Sequence, residues 1–290
     1  MSAWLVVGSN GMLGQELLLA LGERGPAESV IGVDLGEIDI TDADSVNEVL
    51  TATNHDVCIN AAAYTAVDLA ESNEEKAFAV NALGPQLLAQ ACAATDTALI
   101  SISTDYVFDG SATEPYLEDS ARSPESAYGR TKEAGEVAAL QAHPDGTYIV
   151  RTAWLYGEFG PNFPKTVLRL TRGGTAMNVV DDQIGQPTWA RDLAHGLIAL
   201  GDTQPDPGIY HYTSSGETSW FEFARAIVAQ DGHSAQECES LITGISTSGY
   251  PTPAKRPPYS VLAHQRWSQA GLPAPTSWQD ALSRADVASW

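Results

Sequence analysis

Apolar residues fall in short, β-branched runs, and between those runs they recur every three or four positions. The runs 4-WLVV-7, 30-VIGV-33, 57-VCIN-60, 98-ALISIS-103 and 148-YIVRTAW-154 read as strands. Residues 14–24, 42–52, 74–94 and 124–142 carry helical spacing, with Pro124 placed near the first turn of the last helix. Strands that are apolar at nearly every position have no wet face. They predict an α/β fold with a doubly wound parallel sheet covered by helices on both sides.

Beyond about residue 155 the pattern loosens. It predicts a helix at 162–172, a strand at 176–180, a helix at 190–200, a strand at 208–213 and a helix at 218–231. The chain thus divides into a regular part, 1–155, and a smaller C-terminal lobe, 156–290, some of whose segments return to the first part. Residues 244–262 are rich in Pro, Gly, Ser and Thr, and 250-YPTPAKRPPYS-260 reads as a linker or surface loop. It nevertheless carries the adjacent cations Lys255 and Arg256.

Those cations matter because the chain is acidic. Fifteen Lys and Arg stand against 37 Asp and Glu, a formal charge of -22. Such a surface repels phosphate backbones and anionic lipid, so neither nucleic acid nor a membrane is an expected partner. An anionic substrate would be gripped by a few placed cations and by backbone N–H groups. Cys58, Cys92 and Cys238 show no C-x-x-C spacing and the six histidines no metal-ligand spacing, which fits a reducing cytoplasm. The short apolar run at Trp4–Val7 and the lack of about 18 consecutive apolar residues predict neither an export signal nor a membrane span.

The first strand runs into 8-GSNGMLG-14 and then a helix. Glycines at 8, 11 and 14 allow a tight turn, close approach of the backbone to a pyrophosphate, and close helix–sheet packing, with the helix N-terminus facing the phosphates. Gly8, Ser9, Asn10, Gly11, Met12 and Leu13 are therefore candidate cofactor-binding residues in a Rossmann-like, NAD(P)-binding arrangement. Asp34, twenty positions past Gly14, ends the second strand, where a carboxylate accepts hydrogen bonds from an adenosine ribose and repels a 2′-phosphate. Glu37 and Asp39 add negative charge, so the local electrostatics favour NADH over NADPH.

A second cluster starts at the carboxyl end of the fourth strand, 103-STDYVFDG-110, and continues on the following helix as 128-YGRTK-132. Tyr128 and Lys132 are four residues apart and leave one helix face. A tyrosine with a pKa of about 10 holds a proton it can give to a carbonyl oxygen as hydride reaches the carbon. Lys132 would stabilise the phenolate left behind and hold the nicotinamide ribose. Thr104 would donate a hydrogen bond to the same oxygen.

With these motifs, 60-NAAAYTAVDLAE-71, 151-RTAWLYG-157, 181-DDQIGQPT-188 and 250-YPTPAKRP-257, the sequence resembles the extended short-chain dehydrogenases, and within them the RmlD-type dTDP-4-dehydrorhamnose reductases, over nearly its whole length. The resemblance implies a catalytic triad of Thr104, Tyr128 and Lys132. It places Ala61, Ala62, Ala63 and Tyr64 along the cofactor and Asp39 and Ile40 near the adenine. Around the sugar it puts Asp105 and Trp154, with Asn162 nearby, and it sets Arg256 on the dTDP diphosphate. Residues 1–155 become a dinucleotide-binding domain and 156–290 mainly a nucleotide-sugar-binding lobe. The implied reaction reduces the 4-keto group of dTDP-4-dehydro-β-L-rhamnose to dTDP-β-L-rhamnose, with the proton from Tyr128.

Some members of this family dimerise through Mg2+ held by glutamates. Glu16 is present here, but Arg191 stands after 187-PT-188 where another glutamate is expected, and a cation does not ligate a metal. A monomer without an Mg2+ site is the expectation. Two other readings stay open: a non-catalytic nucleotide-binding regulatory subunit like the methionine adenosyltransferase β subunit, and a nucleotide-sugar epimerase or dehydratase. The intact Thr104, Tyr128 and Lys132 argue against the first. Asp105 as the sole carboxylate of the STDY segment weakens the second.

Overall fold

The computed structural model describes residues 2–25 and 29–290. Its first part alternates strand and helix: β1 (Ala3–Val7), α1 (Met12–Gly22), β2 (Ser29–Val33), α2 (Ala43–Ala52), β3 (Val57–Asn60), α3 (Val67–Ala70), α4 (Glu74–Phe78), α5 (Gly84–Ala94), β4 (Ala98–Thr104), α6 (Ala127–Ala142) and β5 (Thr147–Thr152). The chain continues through β6 (Leu155–Tyr156), α7 (Phe163–Arg172), β7 (Met177–Val180), β8 (Ile184–Gly185), β9 (Thr188–Trp189), α8 (Ala190–Thr203) and β10 (Gly208–His211). It ends with β11 (Thr218–Ser219), α9 (Trp220–Gln230), α10 (Ala235–Leu241), β12 (Ile242–Ile245), α11 (Gln265–Gln269) and α12 (Trp278–Ala285).

Six strands form one parallel sheet in the order β10-β5-β4-β3-β1-β2. The chain leaves β1 toward β2, then crosses back over it to β3. The carboxyl ends of β1 and β3 therefore open a crevice between divergent connections, where sheets of this kind bind ligands. Strand alternation sorts the core into two layers. Trp4, Val6, Val57, Ile59, Ile100 and Val150 pack against Leu13 and Leu17 of α1 and Leu193 and Leu197 of α8. Leu5, Val7, Cys58, Leu99 and Ile149 face Val46 and Leu50 of α2, Leu88 and Cys92 of α5, and Ala139 of α6.

The lobe has its own core, in which Tyr156, Val167, Phe223, Ile227, Trp278 and Leu282 meet. The return of α8 and β10 to the main sheet gives the boundary at 155 a back-and-forth character. Three other expectations change. The helix at 124–142 starts at Ala127, with Ser126 as its N-cap accepting from Gly129 N at 3.1 Å, so Pro124 lies before it. The helix at 74–94 is interrupted by a π turn at Ala79–Leu83. The strand at 148–154 stops at Thr152, and Trp154 turns into the left-handed region at φ +46.

Residues 244–262 are not a free linker. β12 pairs with β7, Ala254, Ser260, Val261 and Leu262 are buried, and bridges reach Tyr116 and Ile184. Among the described residues no helix is long and apolar enough to cross a membrane.

Candidate active site

The glycine turn is as tight as its spacing predicts. Gly8 has φ +83, and a Cβ there would lie 2.7 Å from Ala62 N. A Cβ on Gly14 would sit 2.1 Å from Gly8 O. The turn hangs from β2 through Gly8 and Ser9 N–H bonds to Val33 O at 2.9 and 3.1 Å. Asp34 ties it down further, accepting from Asn10 N at 2.8 Å and Leu35 N at 2.7 Å. Both carboxylate oxygens thus brace the turn. The α1 N-cap, Gly11, makes no side-chain hydrogen bond, which leaves the helix start free of a local cap.

Opposite the turn, Ala61–Tyr64 leave β3. Asn60 Oδ1 accepts from Ala62 N at 3.2 Å. Asn81, in the π turn, accepts from Tyr64 N at 2.8 Å and donates to Tyr64 O at 3.1 Å and Thr131 Oγ1 at 3.2 Å. One buried amide therefore fixes this segment and α6 together. No motif announced it, because its partners Tyr64 and Thr131 lie 17 and 50 positions away. Ile40 is a core residue of the α2 layer, and Asp39 is held by Thr41 through two hydrogen bonds that lower its pKa.

Thr104, Tyr128 and Lys132 come together where β4 meets α6, and all three are buried. Burial raises the Tyr128 pKa, and the neighbouring Thr104 hydroxyl opposes that shift. Tyr106 meets Tyr128 edge to face, centroids 5.6 Å apart. Lys132 Nζ donates to Ile102 O at 2.6 Å, and burial pushes its pKa down to about 8 against the opposing charge of Glu136. That bond uses one ammonium proton and leaves two for other partners.

Asp105 adjoins the triad. It accepts from Thr104 Oγ1 at 2.9 Å while its Oδ2 is buried without a hydrogen-bond partner, and burial pushes its pKa up to about 6. Arg256 reaches the same wall. It lies over the Tyr106 ring at 5.9 Å, pairs through Nη2 with Asp68 at 2.7 Å, and keeps a buried Nη1 unpartnered. Asp68 also accepts from Ala254 N at 3.1 Å, and Lys255 pairs with Glu125.

The other sugar-side candidates separate. Trp154 stacks on Trp220 at 3.7 Å, an aromatic wall whose second member no motif announced. Asn162 spends its amide on its own loop, capping α7 through Lys165 N at 3.1 Å and donating to Gly157 O at 2.7 Å. No bond joins it to the triad. Arg191 binds Glu16 at 3.3 Å and also pairs with Glu23. No group of three or more His, Cys, Asp or Glu able to hold a metal occurs among the described residues.

A parallel sheet with a glycine cradle at its switch point and a Thr-Tyr-Lys cluster beside it defines a dinucleotide-binding fold of the short-chain dehydrogenase type. Comparison with known proteins narrows this. The RmlD substrate binding domain model matches residues 2–287, and the chain belongs to that family. It is 45% identical over 287 residues to a dTDP-4-dehydrorhamnose reductase of Streptomyces griseus, covering 97% of this chain and 92% of that one. A dTDP-4-keto-6-deoxy-D-glucose reductase of Streptomyces niveus is 41% identical over 282 residues, covering 97% and 96%. The crystal structure of dTDP-4-dehydrorhamnose reductase from Bacillus anthracis in complex with NADP superposes with a TM-score of 0.92 at 35% identity, covering 98% of each chain.

Proposed function

We propose that this chain reduces the 4-keto group of dTDP-4-dehydro-β-L-rhamnose to dTDP-β-L-rhamnose with a nicotinamide nucleotide. The observation that carries the reading is the buried meeting of Thr104, Tyr128 and Lys132 beside a cradle that admits no Cβ at Gly8 or Gly14. The bound nicotinamide nucleotide supplies the hydride. Gly8–Leu13 would receive its pyrophosphate, Asp34 its adenosine ribose, and Ala61–Tyr64 would line its path.

Tyr128 keeps its phenolic proton at neutral pH, because burial raises its pKa. A substrate carbonyl oxygen beside it gathers negative charge in the transition state and takes that proton. Thr104, whose hydroxyl proton goes to Asp105 in this structure, would turn it to the same oxygen. The free protons of Lys132 stabilise the phenolate and hold a ribose hydroxyl. Asp105 Oδ2 and Arg256 Nη1, an unpartnered acceptor and an unpartnered donor, would bind the sugar and the diphosphate, with Trp154 as an apolar face. Asn162 caps α7 and would reach the sugar only by giving up that cap.

For the donor we favour NADH, since Asp34, Glu37 and Asp39 line the adenosine end with negative charge, while the Bacillus anthracis relative binds NADP. The Arg191 pair with Glu16 supports a monomer that needs no Mg2+. The test follows oxidation of NADH and of NADPH by absorbance with dTDP-4-dehydrorhamnose and with dTDP-4-keto-6-deoxy-D-glucose. Substrate-dependent oxidation that Tyr128→Phe lowers by about 10²–10⁴-fold is expected. Tight nucleotide binding without turnover on either sugar would replace this reading with the regulatory-subunit one. Faster oxidation with the second sugar would move the substrate to that of the Streptomyces niveus relative.

A further inference from the structure

The contact between β4 and α6 is a ladder of three polar rungs. Thr104 meets Tyr128, Ile102 O accepts from Lys132 Nζ at 2.6 Å, and Ser103 Oγ donates to Glu136 Oε1 at 2.6 Å. Tyr128, Lys132 and Glu136 lie at successive four-residue steps of one helix, so their side chains share a face. The third rung has no part in the chemistry above, yet it is the most heavily bonded.

Glu136 is 2% exposed. Arg151 of β5, itself fully buried, grips both of its oxygens, Nε to Oε1 at 2.8 Å and Nη2 to Oε2 at 2.7 Å. Arg122 adds a bond to Oε2 at 3.2 Å. Arg151 is fixed in turn by Glu118 O at 3.3 Å, His211 Nε2 at 3.3 Å and the Phe108 ring at 5.0 Å. His211 donates through Nδ1 to Ala263 O at 3.0 Å, and burial and Arg151 keep its ring neutral.

A carboxylate so completely bonded cannot swing away. A buried ammonium group one turn back along the helix needs a fixed negative charge if it is to keep its proton. The charged or titratable groups around the pair are Arg151 on β5, His211 on β10, Arg122 and Glu118 before α6, Asp105 and Tyr106 after β4, and Tyr128 and Glu133 on α6 itself. The carboxylate that acts on Lys132 is Glu136 itself, one helical turn on and bonded to Ser103 beside the Ile102 carbonyl that holds Lys132.

We propose that Glu136, clamped by Arg151 and Ser103, is a positioning residue that keeps Lys132 in its ammonium form and aimed into the site. The proposal rests on the reductase reading for its consequence but not for its test. The chain has four lysines, Lys76, Lys132, Lys165 and Lys255, so ¹³C-lysine NMR of the ligand-free protein can follow each ammonium group, with Lys132→Met giving the assignment. In Glu136→Gln the Lys132 midpoint should fall by about one pH unit. Ser103→Ala, which loosens the carboxylate and leaves its pair with Arg151, should lower it by a few tenths, about a third of that shift. Glu136→Asp, which keeps the charge on a shorter arm, should lower it by less than Glu136→Gln.

If Glu136→Gln does not fold, Ser103→Ala and Glu136→Asp decide. A Lys132 midpoint unmoved in Ser103→Ala, and in Glu136→Gln where it folds, overturns the proposal even if melting temperatures fall. The alkaline limb of kcat should follow the same midpoints. A wild-type protein that turns over neither sugar would end the reductase reading and leave the NMR result standing.

Discussion

The two ends of the proposed site, one for the cofactor and one for the sugar, are built in opposite ways. At the cofactor end, Gly8–Gly14 presents backbone and no charged side chain, held by neighbours in β2 and by Asp34, all within the first 34 residues. At the sugar end, Lys255 and Arg256 are the cations, and both are held by acids far away in sequence, Glu125 and Asp68. A turn that binds through N–H groups needs only its own geometry. A cation in a chain of charge -22 is drawn to whichever carboxylate lies near, and folding has to choose that carboxylate.

The largest effect should come from Gly14→Ala. Its Cβ would lie 2.1 Å from a backbone oxygen that cannot rotate away, so the turn must open. Overpacking of this kind costs about 1–3 kcal/mol of stability, and nucleotide affinity by calorimetry should fall by about two orders of magnitude. An unchanged Kd would show that the turn does not cradle the nucleotide.

Lys132 links the two ends. With its pKa near 8, kcat should decline by about tenfold between about pH 7 and 9 as the ammonium group loses its proton. Stability moves the other way. A lysine whose folded pKa lies below its unfolded one carries its burial cost in full at low pH, and that cost is relieved as pH rises through 8 toward 10.5. A Lys132→Met protein should lose activity without losing melting temperature at neutral pH. Loss of both together would mean that the Ile102 bond outweighs the burial cost.

Asp68→Asn tests the sugar end. The ion pair is partly exposed, so stability should change by less than about 1 kcal/mol. The released Arg256 should raise KM for the nucleotide sugar severalfold with little change in kcat. A lower KM would show that Asp68 competes with the diphosphate instead of holding Arg256 for it. The smallest effect belongs to Arg191→Ala, within about 1 kcal/mol in melting and without change of mass by sedimentation, with or without chelator. Mg2+-dependent dimers of the wild type would refute the monomer.

Much of this was legible because it is local. Alternating apolar runs set the two core layers, three glycines set the turn, and four-residue spacing set Tyr128 and Lys132 on one face. Glu136 was in plain view one further turn along, but its partner Arg151 lies on another strand. Asn162 has the composition of a binding residue and is used as a helix cap, a competition that amide side chains enter wherever a helix starts nearby.

The sequence by itself determined the sheet, its helices and the chemical types at the crevice, since periodicity and glycine conformation act over a few residues. Tertiary structure alone decided that 244–262 ties the lobe to α3 and to Tyr116, that Trp220 stacks on Trp154, that Asp68 holds Arg256, and that Glu136 holds Arg151 and Arg122. Those pairings join residues from 14 to 188 positions apart. No periodicity reaches that far, and in an acidic chain many carboxylates could have served until packing and burial selected one for each.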